Sequence, residues 1–363
     1  MANDSSVTTG RCHWTFVLAL IVLQPLTTGM GTEGNEQVLR TMPFTFFDEA
    51  SGEWCKSEVP HVSGQAFKAT LREHAFLVMA EALGLQEGSV SRDGLRLALK
   101  GGKNDKGETS VSLDDLRELR ALLPILDIFG ALDQGQALPA SGQFSDIRPW
   151  CEGLAKAGLI PVNGVRGGKE GNETVVLPFV SEEGVQMAPI PDHMIRGVVQ
   201  QYKHDLSQTH ITHVLMDGGD KKQISDQRAE NKANAKPVKK EERRAVNESM
   251  PYALQCMVAG TPLVGEIRLV DAAPVSAALL AAAIEHWIQS GGHLGSGKSV
   301  GRGATRVTVS GAFSVDSRSG ELRAQGQESG LLKQGVNPFA EQLRAHFLTS
   351  GDKIRAKLAE VVR

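Results

Sequence analysis

Residues 276–310 read SAALLAAAIEHWIQS, then GGHLGSGKSVGRG, then ATRVTVS. The first part is rich in Ala and Leu, with its apolar residues at helical spacing, and this pattern predicts a helix. The last part alternates β-branched and polar residues, which is typical of a strand. The middle part, residues 291–303, is called the glycine loop below because it contains six glycines. The predicted order is therefore helix, glycine loop, strand.

The glycine loop admits three interpretations. Gly292–Ser299 matches G-x-x-x-x-G-K-[ST], the phosphate-binding loop of nucleotide hydrolases. That site needs a strand before the loop and a helix after it, so that the amides of the helix face the phosphates. The predicted order is the reverse, which argues against an ATPase. A flexible surface loop, and a loop whose glycines and cations receive the backbone of a polyanion, remain open.

Composition bounds the function classes. The chain has 363 residues and a net charge of −3, so binding of nucleic acid would have to use local basic patches. Two Tyr and four Trp argue against a platform of stacked aromatics. The four cysteines are far apart and form no C-x-x-C pair, which argues against a zinc site and a disulfide framework and favours a reducing cytoplasm.

An apolar run from Trp14 to Leu23 follows Arg11 and His13. A signal peptide has a similar run, but Asp4 lies upstream and an A-x-A cleavage site is lacking. The run is too short to span a membrane as a helix. It is rich in strand-forming residues, and we therefore predict a central strand buried on both faces, in a cytoplasmic protein without a membrane segment.

The clearest helix in the sequence starts after Ser63, a good N-cap, and ends at Gly84 or Gly88. Lys68 and Arg72 lie one turn apart near its start. Further predicted elements are a strand at 44–47, a surface excursion at 86–111, a helix at 113–123, loops with short strands at 133–192, a helix at 193–206, paired strands at 252–258 and 264–270, and helices at 338–348 and 353–362.

A basic segment precedes the paired strands. Residues 221–244 contain nine Lys or Arg against four Asp or Glu, and few large apolar residues. Such a composition cannot bury enough apolar surface to fold alone, so the segment is either a solvated loop or one that orders on an anion or a neighbouring subunit.

The order of these elements predicts an α+β fold. Strand, helix, paired strands, helix and strand are compatible with a β-α-β-β-α-β unit, the ferredoxin-like fold that RNA-recognition modules also use.

Five motifs, in order, resemble those of the CRISPR repeat-associated RAMP superfamily. Leu23–Gly29 resembles its x-Pro-Leu, His-x-Gly opening, and Val62–Arg72 its (I/V)-S-G-N-S-x-(R/K)-G-x-L-R helix start. Leu126–Gly130 is similar to its L-x-x-(L/I)-F-G element, Ala259–Ile267 to its A-G-T hairpin, and Gly291–Gly303 to its terminal glycine loop. The similarity extends over residues 23–303.

The resemblance implies a non-catalytic backbone subunit, most similar to that of type IV CRISPR complexes. Copies would form a helical filament along CRISPR RNA, with other subunits of the effector complex, and leave bases free to pair with a target nucleic acid, DNA being favoured over RNA. It also implies an RRM-like palm with helical and loop insertions and a thumb hairpin. The implied segments are the two halves of the palm at 10–85 and 251–311, a fingers-like insertion at 86–192, a basic thumb at 193–250 and a C-terminal helical segment at 312–363.

The implied RNA-binding residues fall into three groups. The start of the first helix offers amides and cations to phosphates, the glycine loop lets the main chain approach the RNA, and the thumb supplies lysines. The residues are Ser63, Gly64, Gln65, Lys68, Arg72, Lys221, Lys222, Lys239, Lys240, Gly292, His293, Gly295, Lys298 and Arg302, with Gly297 and Gly301 as further close-approach glycines.

We expect no catalytic residue, metal or cofactor. RAMP subunits that cut target RNA carry an aspartate in the loop after the first strand, where this sequence has Asn35 or Glu36. Asn35 cannot act as a general base, although Glu36 could. His210 and His213 lack further ligands nearby in the sequence and are interpreted as solvated loop residues. The alternative is a RAMP endoribonuclease that cleaves guide precursor or target RNA.

Overall fold

The computed structural model describes residues 12–33, 36–101, 113–133, 136–160, 165–166, 175–176, 187–202, 251–296, 302–315, 318–325 and 340–359. The chain divides into two compact units. The first comprises Met1–Thr28, Arg40–Arg196 and Met257–Arg363, and the second comprises Gly29–Leu39 and Gly197–Cys256. The second unit overlaps the segment 193–250, and the segment boundaries given above stay predictions.

Strands occur along most of the described chain. They are β1 (Cys12–Val22), β2 (Gly29–Glu33), β3 (Glu36–Leu39), β4 (Thr41–Asp48), β5 (Glu53–Pro60), β6 (Ala131–Asp133), β7 (Gln136–Leu138), β8 (Gly142–Phe144), β9 (Arg148–Pro149), β10 (Val165–Arg166), β11 (Val175–Val176), β12 (Arg196–Tyr202), β13 (Pro251–Met257), β14 (Pro262–Ala272), β15 (Thr305–Val315) and β16 (Arg318–Gln325).

Helices fall mainly in the first unit. They are α1 (Gly64–Leu83), α2 (Arg92–Lys100), α3 (Leu113–Leu122), α4 (Pro124–Phe129), α5 (Glu152–Lys156), α6 (Pro274–Gln289) and α7 (Ala340–Ala359), with a 3-10 turn at Asp192–Met194. Helices and antiparallel strands together confirm the predicted α+β class.

The main sheet of the first unit has the strand order β16-β15-β1-β14-β8, and β9 also pairs with β14. Every pairing in it is antiparallel. Strand β1 lies between β15 and β14, so the prediction of a central first strand is confirmed. Both edges of β1 are therefore paired, whereas its continuous apolar sequence depends on how far each of its two faces is covered.

Alternation along β1 fixes its inner face. Trp14, Phe16, Leu18 and Leu20 are buried, whereas the residues between them are half-buried except for Ala19. Successive strand residues point to opposite faces of a sheet, so the alternate side chains form the core beneath the helices. Burial on the second face is therefore less complete than predicted.

Helices α1 and α6 pack against each other in this core. Their contact includes Phe67 and Trp287, whose ring centroids are 5.3 Å apart in an edge-on arrangement. Ser63 caps α1 by accepting a hydrogen bond from the Ala66 amide at 3.3 Å. Gly84 ends α1 in the left-handed conformation with φ of 61°. Both ends of α1 are as predicted.

The second unit contains a four-stranded sheet of order β12-β13-β3-β2. Within it β13 runs parallel to β3, and Leu254 lies opposite Gln37. Leu39, Leu254 and Cys256 are buried.

Three predicted elements are wrong. The helix predicted at 193–206 is a 3-10 turn followed by β12, in which Val198 and Val199 are β-branched and suit a strand. The helices predicted at 338–348 and 353–362 are one helix, α7, which continues through Gly351 because that residue is buried beside Leu83. The excursion predicted at 86–111 contains helix α2, with Ser91 as its N-cap.

The predicted pairing of 252–258 with 264–270 is also wrong. Both strands exist, as β13 and β14, but they belong to different sheets. The turn between them is held instead by the Gly260 amide, which donates to the Val22 carbonyl at 2.7 Å.

Candidate nucleic-acid interface

Three connections meet at the end of the main sheet where β1 finishes. The segment after β1 contacts the glycine loop, because Thr27 and Ser296 form an antiparallel bridge. The start of α1 reaches the same end, because Val62 bridges Ile147, close to Pro149, which pairs with Leu263. Phe67 in α1 contacts Trp287, whose Nε1 donates to the His293 carbonyl at 3.0 Å. The structure thus brings together two of the three predicted RNA-binding groups.

The glycine loop has the predicted polarity. Helix α6 ends at Gln289, and the amides of Gly291 and Gly292 still donate to carbonyls of its last turn. Strand β15 begins after the loop, at Thr305. A nucleotide-hydrolase loop needs the opposite order, so the ATPase interpretation of Gly292–Ser299 is wrong.

Internal packing explains three of the four described glycines of the loop, Gly292, Gly295 and Gly303. Gly292, Gly295 and Gly303 all have positive φ, between 57° and 71°. An added Cβ at Gly295 would overlap the Thr27 carbonyl, and one at Gly303 would overlap the Leu294 carbonyl. At Gly292 it would lie 2.8 Å from Val307 Cγ2. The expectation that Gly292 and Gly295 are glycines in order to let RNA approach is therefore replaced by close packing within the protein.

His293 and Arg302 stand on facing sides of the loop. His293 Nδ1 lies 3.1 Å from the Arg302 carbonyl oxygen, so Nδ1 carries a proton and donates. Both residues are half-buried. The residues between Ser296 and Arg302, including Gly297, Lys298 and Gly301, lie outside the described residues.

The first amide of α1 is already occupied. The Gly64 amide donates to Asp146 Oδ1 at 2.8 Å, so a carboxylate takes the place predicted for a phosphate. Gly64 must be glycine because an added Cβ would overlap the Phe144 carbonyl of β8. The prediction that this amide binds RNA is therefore corrected, while the exposed Gln65 remains accessible.

Arg72 also differs from its prediction. Its side chain is buried, with Nε 2.5 Å from the Ala98 carbonyl and Nη2 at 3.1 and 3.3 Å from the carbonyls of Leu97 and Gly130. Burial lowers the pKa of Arg72 to about 10. Arg72 therefore holds α2 and α4 against α1, and only its Nη1 group, at a cavity beside α1, is left without an acceptor among the described residues.

A cavity of about 340 Å³ opens beside α1, one turn beyond its start. Gln65, Lys68, Arg72 and Lys100 supply its polar groups, and Phe129 and Leu138 belong to its apolar wall. Lys68 is half-buried, and its pKa is lowered, first by burial and then by the charge of Arg72. Among the residues that the structure describes, none that lines the cavity is acidic. Such a site favours an anion.

A group of polar side chains around the Val62–Ile147 bridge was not identified from the sequence. His61 and Arg148 flank the Val62–Ile147 bridge and are therefore cross-strand neighbours. His61 Nδ1, Arg148 Nε and Thr28 Oγ1 are buried without a hydrogen-bond partner among the described residues. Burial, followed by the charges of Arg40 and Arg148, lowers the pKa of His61, whereas Asp146 acts in the opposite direction. The adjacent V-S-G motif was the only sequence signal for this group.

Lys221, Lys222, Lys239, Lys240, His210, His213 and Asn35 lie outside the described residues, as does the side chain of Glu36. Within the described part of the chain, no group of three or more His, Cys, Asp or Glu is arranged to hold a metal. No helix in that part is long and apolar enough to cross a membrane.

Three solved structures are similar to this chain. A chain of the Type IV-B CRISPR complex shares 16% identity over 88% of this chain and 99% of its own, with a TM-score of 0.46. Csc2 of Thermofilum pendens shares 12% identity over 98% of this chain and 84% of its own, with a TM-score of 0.32. A chain of the Type III-B Cmr-beta complex bound to cognate target RNA shares 10% identity over 86% of this chain and 61% of its own, with a TM-score of 0.33.

No family model and no curated protein matches the sequence. The three TM-scores are low, so a function has to follow from the residues and geometry of this chain.

Proposed function

We propose that this protein is a non-catalytic backbone subunit of a CRISPR effector complex, which binds CRISPR RNA and oligomerises along it. Its partners would be the guide, other copies of itself, further subunits of the complex and a target nucleic acid, with DNA favoured over RNA. The place of action would be the cytoplasm. The type IV assignment rests on the resemblance of the sequence motifs.

The topology of the first unit supports an RRM-like palm. Reading β1, α1, β8, β14, α6 and β15 along the chain gives β-α-β-β-α-β, and the antiparallel order β15-β1-β14-β8 is the one expected of a ferredoxin-like sheet. RNA-recognition modules use this fold. The thumb remains part of the proposal, since residues 203–250 lie outside the described ones.

The observation that carries the proposal is the cavity beside α1, which is lined by cationic side chains and, among the residues that the structure describes, by no acid. The start of α1 also connects to the glycine loop, because Phe67 contacts Trp287, whose Nε1 donates to the His293 carbonyl. The half-buried residues on the second face of β1 are Thr15, Val17 and Ile21, none of them aromatic. Bases therefore find no stacking platform on β1, and contacts to the phosphate backbone are favoured.

Backbone contacts predict how binding responds to a charge change at Lys68. Lys68→Glu should weaken the affinity for single-stranded RNA by at least about tenfold, because the substitution replaces a phosphate-attracting cation with an anion. Fluorescence anisotropy at several salt concentrations, with two RNAs of unrelated sequence, measures this. The two RNAs should bind the wild type equally well.

Lys353→Glu is the matched control, since Lys353 is an exposed lysine of α7. It should leave the affinity close to that of the wild type. Equal affinities of Lys68→Glu and Lys353→Glu would contradict the proposed surface, provided that both variants unfold at the wild-type temperature.

Absence of nuclease activity is the second part of the proposal. The assembled complex, incubated with magnesium and complementary RNA, should leave the target intact. Regularly spaced cuts that disappear in the Asn35→Ala/Glu36→Ala variant would establish the alternative, a RAMP endoribonuclease.

A further inference from the structure

The cavity beside α1 concentrates positive charge, and no acidic residue lines it in the part of the chain that the structure describes. Lys68, Arg72 and Lys100 line it, and neither lysine forms an ion pair with a residue that the structure describes. Lys68 and Arg72 lie one turn apart on α1 and both line the cavity, so their like charges repel, in keeping with the pKa of Lys68, which is lowered first by burial and then by the charge of Arg72. An anion between them would convert this repulsion into attraction.

Arg72 is held so that part of its guanidinium stays available. Its Nε and Nη2 groups donate to three backbone carbonyls, which fix the plane of the side chain. Its Nη1 group has no acceptor among the described residues. Gly101 leaves space beside this group, since an added Cβ there would lie 3.2 Å from Nη1. A fixed guanidinium with free N–H groups is a preorganised phosphate donor.

The opposite side of the cavity is apolar. Phe129 and Leu138 line it together with Leu99 and Ala140. The Phe129 ring is itself fixed, because it stacks on Phe144 at 5.5 Å and lies 5.8 Å from the Arg72 guanidinium carbon. The volume of about 340 Å³ is in the range of small-molecule pockets, about 300–1,000 Å³. A ligand that fits both sides has an anionic group and a flat apolar group.

We propose that this cavity binds the phosphorylated end of an RNA strand, with the terminal phosphate against Arg72, Lys68 and Lys100 and the adjoining base or sugar against Phe129 and Leu138. A terminal phosphate is a phosphomonoester and carries about 1.5 to 2 negative charges at pH 7, whereas an internal phosphodiester carries one. The three cations, with no acid among the described lining residues, match the more highly charged group. This inference rests on the proposed function, because it specifies which part of the RNA the site takes.

The test compares one internally labelled RNA made with a 5′-phosphate, with a 3′-phosphate, or with hydroxyls at both ends. One of the phosphorylated forms should bind the wild-type protein about tenfold more tightly than the hydroxyl form, which is the usual size of a good charge-assisted contact. A nucleoside 5′-monophosphate should compete for this increment, and inorganic phosphate should compete less well because it lacks the apolar part.

Two variants test whether the preference for a phosphorylated RNA end depends on the cavity. Lys100→Gln removes one cation of the cavity, and Ala140→Leu fills part of its volume. Each should reduce the ratio of affinities for phosphorylated and hydroxyl RNA to near one. The matched controls are Lys353→Gln and Ala345→Leu, at exposed positions of α7, and they should keep the wild-type ratio.

The outcomes separate this inference from the proposed function. RNA that binds without any preference for a phosphorylated end, or a preference that survives in both cavity variants, overturns the inference and leaves the proposed function standing. A protein that binds no RNA but binds the nucleoside monophosphate through Ala140 and Lys100 keeps the pocket and overturns the proposed function. Binding of neither overturns both.

Discussion

Arg72 shows how burial changes the task of a single residue. From the sequence, Lys68 and Arg72 form an equivalent pair of cations one turn apart. In the structure Lys68 is half-buried beside the cavity, whereas Arg72 is 7% exposed and bonded to three carbonyls. Helical spacing predicts that both lie on one side of α1, but it does not predict the carbonyls of Ala98 and Gly130 that surround one of them.

Arg72→Ala should therefore destabilise the protein. The change leaves buried carbonyl groups without donors, so the free energy of unfolding should fall by about 2–4 kcal/mol. Lys68→Ala should cost less than about 1 kcal/mol, because no described residue bonds to Lys68. Urea unfolding of the two variants measures the difference. Equal losses would contradict the structural role of Arg72.

The burial of His61 should make the free energy of unfolding depend on pH. Burial lowers its pKa in the folded state below the ordinary value of 6.5, so the unfolded chain binds more protons in the window below 6.5. Its contribution to stability is therefore present above pH 6.5 and is lost as the pH falls. Between about pH 7 and pH 5 the wild type should lose more unfolding free energy than His61→Gln, which cannot take up the proton. Parallel losses would show that His61 stays exposed to water.

At the scale of elements, caps and the strongest local patterns were predicted correctly, whereas the helix predicted at 193–206 and the pairing of β13 with β14 were wrong. The caps of α1, the central strand β1 and the order α6, glycine loop, β15 could all be predicted, because each depends on residues close in the sequence. Strands β13 and β14 could be predicted as strands, but a short connection wrongly suggested that they pair. Asp146 occupies the Gly64 amide from 82 residues away, and no local pattern carries that information. For the same reason the group around His61 and Arg148 was missed.

Packing of the glycine loop gives a prediction at this scale. Gly303→Ala places a Cβ in the left-handed region and against the Leu294 carbonyl, while Gly84→Ala, at φ of 61°, meets no atom within 4 Å. Conformational strain should cost about 1 kcal/mol at both positions. The overlap should cost Gly303→Ala about 1–3 kcal/mol more. Thermal unfolding of both variants measures how much more Gly303→Ala destabilises the protein than Gly84→Ala. Equal destabilisation would mean that Gly303 does not pack closely against the Leu294 carbonyl of the loop.

At the scale of the whole molecule, the net charge of −3 gives no sign of a polyanion ligand. The first unit nevertheless gathers Lys68, Arg72 and Lys100 around one cavity beside α1. Local charge of this kind is enough for binding to a phosphate backbone, whose affinity falls steeply with salt. Composition alone could not locate this surface, since its cations come from two different helices, α1 and α2.

The nucleic-acid content of protein isolated from cells in low salt tests the central claim most directly. An RNA-binding backbone subunit should retain RNA, give an ultraviolet absorbance ratio typical of a nucleoprotein, and release a discrete small RNA on denaturation. Protein that emerges free of RNA, and that then fails to bind single-stranded RNA of any sequence in low salt, would contradict the account.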